Sequence, residues 1–197
     1  PDPENCTGIG PVDWEATAAA VRTQKEAGWL TSGGLRHGHT FLQLCDIRGY
    51  ENLLFDMEDE EPRLWKLIEL VEHFNSVQVK HYLEMDVDVM GFAEDLGMQV
   101  GPMLSPEDFR KYIQPSYRRL MAPAREKGTL IHMHSDGDIR LLVDDIISGG
   151  VDIINLLIQL PEDESIHIDT LFSERSDVLQ DLEGKLNRWH ESANWAM

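Results

Sequence analysis

Three short runs, residues 87–93, 129–134 and 151–157, are apolar and rich in β-branched side chains, and segments of helical length separate them. Runs of this length read as strands buried on both faces. A strand–helix–strand–helix–strand order then requires parallel βαβ units, because parallel neighbours need a long crossover. The first crossover begins at Ser105-Pro106-Glu107-Asp108, with a serine N-cap, proline at the first helical position and acids in the first turn. That helix is expected to reach about Lys127, kinked or interrupted at Pro115 and Pro123, with Gly128 ending it. The second crossover helix is expected from Asp138, as its cap, to Ser148, before Gly149-Gly150.

Upstream, residues 13–27 carry apolar positions at helical spacing (Trp14, Ala18, Val21) before Gly28. Residues 40–44 are expected to form a strand, 49–57 a short helix, and 62–81 a long amphipathic helix with Leu64, Leu67, Ile68, Val71 and Phe74 on one face. Residues 160–197 are highly charged, and Leu171, Val178, Leu179, Leu182, Leu186 and Trp189 suggest one closing amphipathic helix. The expected organisation is an N-terminal tail and helix over 1–32, a βα core over 33–158 and a divergent C-terminal helical segment over 159–197.

A formal charge of −19 over 197 residues argues against nucleic-acid binding and against docking to anionic membranes. The local acidic run from Asp56 to Glu61 reads as a solvated face. Two cysteines, Cys6 and Cys45, match no zinc or redox spacing, although a disulfide between them is open. No segment is long and apolar enough to span a membrane and the N-terminus carries no signal-like region, so a cytoplasmic location is expected.

Function points to residues 130–138, Leu-Ile-His-Met-His-Ser-Asp-Gly-Asp. A buried strand ending there places an imidazole, a hydroxyl and carboxylates at a strand tip, where α/β proteins hold their chemistry. His134 reads either as a ligand or acid/base group, or as a hydrogen-bonded strand-end histidine. Asp136 reads as a functional carboxylate or as a brace for the turn at Gly137. His132 alternates with His134 and shares its side. At the neighbouring strand end, Glu94 and Asp95 are adjacent, so one of them faces the mouth, and Glu94 is preferred. His37 and His39 are weaker pocket candidates, and Arg36 and Arg48 are the nearby cations.

Two further stretches, Asp88-Val89-Met90-Gly91-Phe92-Ala93-Glu94-Asp95-Leu96-Gly97 and Leu104-Ser105-Pro106-Glu107-Asp108-Phe109-Arg110-Lys111-Tyr112-Ile113-Gln114-Pro115, resemble the uroporphyrinogen decarboxylase superfamily. His134-Ser135-Asp136-Gly137-Asp138 and Gly149-Gly150-Val151-Asp152-Ile153-Ile154-Asn155 follow in the same order, and Gly49-Tyr50-Glu51-Asn52-Leu53-Leu54 fits an earlier helix. The resemblance runs from about Gly33 to Asn155 and extends to the cobalamin-dependent methyltransferases of that superfamily. It implies a (β/α)8 TIM-barrel-type α/β fold, here expected as central βα units only, with the ends truncated or remodelled.

The same resemblance implies three chemistries. A tetrapyrrole-binding, decarboxylase-like lyase needs a cationic pocket for a polycarboxylate, yet Leu44 or Cys45 and Glu94 stand where such decarboxylases use a tyrosine and a serine. The methyltransferases bind zinc through a His-x-Cys pair and a later cysteine; here His134-Ser135-Asp136 puts Asp136 in the cysteine place. That exchange implies a harder site for zinc or another divalent metal, formed by His134, Asp136 and Glu94. Metal-assisted methyl transfer from a corrinoid, carried on a separate protein, to a small-molecule acceptor is the preferred expectation. The remaining one is an inactive or incomplete barrel whose open edges pair with a second copy or a partner chain.

Overall fold

The structure is a computed structural model and describes residues 2–159 and 166–172. The chain opens with α1 (Trp14–Glu26), β1 (Ser32–Gly34), α2 (Phe41–Arg48), α3 (Tyr50–Glu58) and α4 (Pro62–Glu84). The strand β2 (Val89–Gly91) and a small hairpin, β3 (Gly97–Met98) and β4 (Gly101–Pro102), follow. A continuous helical segment comes next as α5 (Pro106–Asp108), a π-helical turn (Phe109–Ile113) and α6 (Gln114–Glu126). Last are β5 (Leu130–Asp136), α7 (Val143–Gly149), β6 (Ile153–Gln159) and β7 (Ile166–Phe172).

Five strands make one sheet in the order β1-β2-β5-β6-β7. The first four are mutually parallel, in registers that align Gly34 with Gly91, Gly91 with His132, and His134 with Asn155. β7 returns antiparallel to β6. The fold is therefore mixed α/β with a mainly parallel sheet, and the sheet does not close on itself among the described residues. Met90, Phe92, Ile131, Met133 and Ile154 pack with Phe41, Leu44, Leu53, Ile68, Tyr112 and Tyr117 into one core. The entry ends of the strands are clamped by carboxylates. Asp88 Oδ2 accepts from the Thr31 amide and hydroxyl, and Asp152 Oδ2 accepts from the Ile131 amide.

Several expectations are corrected. Residues 40–44 are not a strand: Phe41–Arg48 is helix α2, and the strand of that region is Ser32–Gly34. Its glycines hide it from a hydrophobicity reading, and Gly33 is needed because a Cβ there would lie 2.3 Å from the Tyr82 ring. Pro123 lies inside α6 without ending it, whereas the expected interruption is present at Pro115. Pro115 has no N–H for the Lys111 carbonyl, and the π-helical turn before it re-registers the ladder so that the Gln114 amide bonds Phe109 O. The helix after β5 begins at Val143, not at Asp138, whose carboxylate instead holds the Arg140 amide and guanidinium.

In the C-terminal segment Leu171 lies in β7, not on a helix, whereas Val178, Leu179, Leu182, Leu186 and Trp189 fall outside the described residues. Cys6 and Cys45 are free. No described helix is long and apolar enough to cross a membrane.

Candidate metal centre

β5 extends two residues beyond the expected end, and its pattern alternates buried Ile131, Met133 and Ser135 side with half-buried His132, His134 and Asp136. A two-residue period therefore puts the three polar side chains on one face. The chain after β2 stays hydrogen-bonded to β5 past the regular ladder: Phe92 N donates to His132 O (2.8 Å) and Glu94 N to His134 O (2.9 Å). Leu96 N then meets the buried Ser135 Oγ at 3.0 Å, and Asp136 N donates to Asp95 Oδ1 at 2.8 Å. These bonds bring Asp95 across from His134 and Asp136.

Asp95, His134 and Asp136 each offer a ligand atom, and the three atoms lie within 4.8 Å of one another. His134 Nδ1 sits 3.1 Å from Asn155 Oδ1, and a proton donated across that contact would leave the Nε2 lone pair for a cation at the mouth. Nε2 in turn lies 3.1 Å from Asp136 Oδ1. That single oxygen is enclosed and accepts no hydrogen bond, although the Asp136 side chain as a whole is about half exposed. A buried carboxylate oxygen without a donor is costly, and a cation shared with His134 would satisfy it. One imidazole and two carboxylates suit zinc or another borderline-to-hard divalent ion.

The remaining predicted residues divide. Glu94 is not in this group: its side chain is 0 % exposed and points the other way, into the layer between sheet and helices. Oε1 accepts from the amides of Thr40 (2.9 Å) and Leu42 (3.0 Å), and Oε2 accepts from the Tyr117 hydroxyl. Glu94 thus caps α2 from the irregular chain after β2, which explains why residues 40–44 become helix. Burial and then Glu94 hold the Tyr117 hydroxyl well above its ordinary range, so it stays a donor. Burial first, and then Glu94, push the Cys45 thiol up to about 12, making it inert.

His39 is fully buried with Glu94, its Nδ1 2.6 Å from Thr40 Oγ1. His132 shares the face of His134 outside the three-donor group. Burial lowers both from the ordinary 6.5; Glu94 partly opposes this at His39, and the neighbouring His134 adds to it at His132. Their neutral forms stabilise the fold fully above pH 6.5, and that contribution is lost as pH falls below it, because the unfolded chain then binds more protons. The thermal midpoint is expected to be flat from pH 8 to 7 and to fall between pH 6.5 and 5. A midpoint constant down to pH 5 would contradict neutral burial.

His37 is half-exposed beside the group, with Nε2 3.1 Å from Asp95 Oδ2. Arg36 is committed to Asp46 at 2.8 Å and Arg48 to Asp56 at 2.6 Å. Two contributors went unassigned in the sequence. Asn155 was inside a recognised motif, and its register beside His134 is the signal that could have found it. Tyr117 carries no local signal, since its partner is Glu94 on another element.

The hairpin docks onto the tip of β5. Gly97 and Gly137 touch backbone to backbone, so that a Cβ on Gly97 would lie 2.4 Å from the Gly137 carbonyl carbon, and Asp138 N donates to Met98 O at 2.8 Å.

Polar donors gathered at the carboxyl ends of parallel strands define an α/β domain of the strand-end-site class. The family model described as uroporphyrinogen decarboxylase (URO-D) matches residues 39–182, and the chain belongs to that family. The matched span contains Asp95, His134 and Asp136 and starts after His37. Neither the curated proteins nor the solved structures give a match.

Proposed function

We propose that this domain is a metal-assisted methyltransferase of the uroporphyrinogen decarboxylase family, built on a (β/α)8-type barrel framework and working with a corrinoid methyl donor carried by a separate protein. The observation that carries the reading is the converging Asp95, His134 and Asp136 group with its unsatisfied Asp136 Oδ1. A divalent ion held there would supply Lewis acidity to the methyl acceptor. His134 is oriented by Asn155 to offer Nε2, and the two carboxylates balance the ion's charge. Decarboxylation of a uroporphyrinogen is disfavoured by the same geometry. Each close carboxylate pair costs about 1 kcal/mol even in water, and Arg36, Arg48 and Arg140 are each tied to an aspartate.

The test is metal content and methyl transfer on protein purified without a histidine tag. About one divalent ion per chain is expected, lost in His134→Ala, together with loss of the methyl–cobalt absorbance of methylcobalamin in the presence of thiol acceptors. The rate in His134→Ala should fall by more than the roughly 10–100-fold carried by outer-shell partners of a metal. A folded, metal-free wild-type protein without methyl transfer sinks the reading.

A second reading rests on the sheet, which does not close among the described residues. Unpaired strand edges favour pairing with a second copy or a partner chain. Sedimentation that gives a monomer at all concentrations removes the second copy.

A further inference from the structure

We infer that His37 is a fourth protein ligand of the same cation, joining Asp95, His134 and Asp136; the inference rests on the proposed metal site and adds a donor from outside the family-matched span. Donor atoms that share an ion lie along the edges of its coordination polyhedron. With bonds of about 2.1 Å those edges are about 3.0 Å in an octahedron and about 3.4 Å in a tetrahedron. His134 Nε2 to Asp136 Oδ1 is 3.1 Å, and His37 Nε2 to Asp95 Oδ2 is also 3.1 Å. Both contacts join an imidazole nitrogen to a carboxylate oxygen at this strand tip.

The backbone delivers His37 to that place. Leu35 N donates to Gly91 O (3.0 Å) and Gly38 N to Ala93 O (2.9 Å), so the loop after β1 tracks the chain after β2 up to the level of Asp95. Asp95 Oδ1 is held by the Asp136 amide, which leaves Oδ2 as the oxygen beside His37. The rings of His37 and His134 are 6.4 Å apart. Two imidazoles on one ion at a tetrahedral angle have centroids about 5 Å apart. Closing that gap takes a ring shift on the order of 1 Å, and the His37 side chain is 50 % exposed and free to make it. His39, the other histidine of this loop, is fully buried against Phe92 and Tyr117 and faces away. With His37 the set is two imidazoles and two carboxylates, and the methyl acceptor would reach the ion as a fifth ligand.

The experiment is titration of metal-stripped wild-type, His37→Ala, His37→Gln and His134→Ala protein with Zn2+ against a chromophoric chelator. Visible absorbance of the Co2+-loaded forms is read alongside, and circular dichroism checks the fold. Both His37 variants are expected to bind Zn2+ at least about 10-fold more weakly and to show a weaker, shifted Co2+ band. Glutamine can donate a hydrogen bond to Asp95 but offers no imidazole nitrogen. Wild-type affinity in His37→Gln, or an unchanged His37→Ala, would overturn the inference while the site stands on His134. Wild-type protein that binds no Zn2+ overturns this inference and the proposed metal site together.

Discussion

Glu94→Ala is expected to lower the thermal midpoint by about 6–12 °C, the largest loss from any single carboxylate at the strand tips. The side chain is fully buried and accepts from the Thr40 and Leu42 amides and the Tyr117 hydroxyl. Truncation leaves three donors without an acceptor, two of them buried and the Leu42 amide partly buried, at about 1–3 kcal/mol for a buried one. A total of about 3 kcal/mol, converted at about 2–4 °C per kcal/mol for a chain of this size, gives that shift. Glu94→Gln keeps an oxygen for the two amides, and its amide group can donate to the tyrosine oxygen, so about 1 kcal/mol is expected. The glutamine variant should also retain its metal. Loss of metal in a well-folded Glu94→Gln protein would return Glu94 to the ligand set and contradict its assignment as a cap.

The second large effect is expected at the glycine contact. Gly137 has φ +80°, and a Cβ there would lie 2.4 Å from the Gly97 carbonyl carbon. Gly137→Ala meets backbone rather than a yielding side chain, so both overpacking and left-handed strain apply, together about 2–4 kcal/mol. The hairpin is expected to lift from the tip of β5 and to disturb Asp95, which is anchored by the Asp136 amide next to the contact. Amide exchange at Leu96, Asp136 and Asp138 should therefore speed up before the sheet itself opens. A variant with unchanged midpoint and unchanged exchange at those amides would show that the contact is slack.

The strands 89–91, 130–136 and 153–159 and the long helix 62–84 were legible in the sequence, because buried runs and helical periods are local patterns. Helix α2 was not: Thr-Phe-Leu-Gln-Leu at 40–44 is too short a run to show a helical period, and the group that makes it helical is a carboxylate more than fifty positions away. β1, Ser-Gly-Gly, carries no hydrophobic signal at all. At the site, the alternation of His132 and His134 placed those two on one face from sequence, whereas Asp136 joins them only because β5 runs on to Asp136. The phase of Glu94 and Asp95 could not be fixed in the same way, since two adjacent acids look alike until the Ser135 hydroxyl and the Asp136 amide set the register.

That register also limits how this segment can change over generations. Glu94 faces the helix layer and Asp95 the mouth, one peptide apart, so a single-residue insertion or deletion between Phe92 and Gly97 would exchange their surroundings. A structural acid would be stranded among the donors, and a ligand would be buried beside Tyr117. Substitution at Asp95 leaves the cap in place, so the chemistry can drift by replacement, while length in this stretch stays fixed.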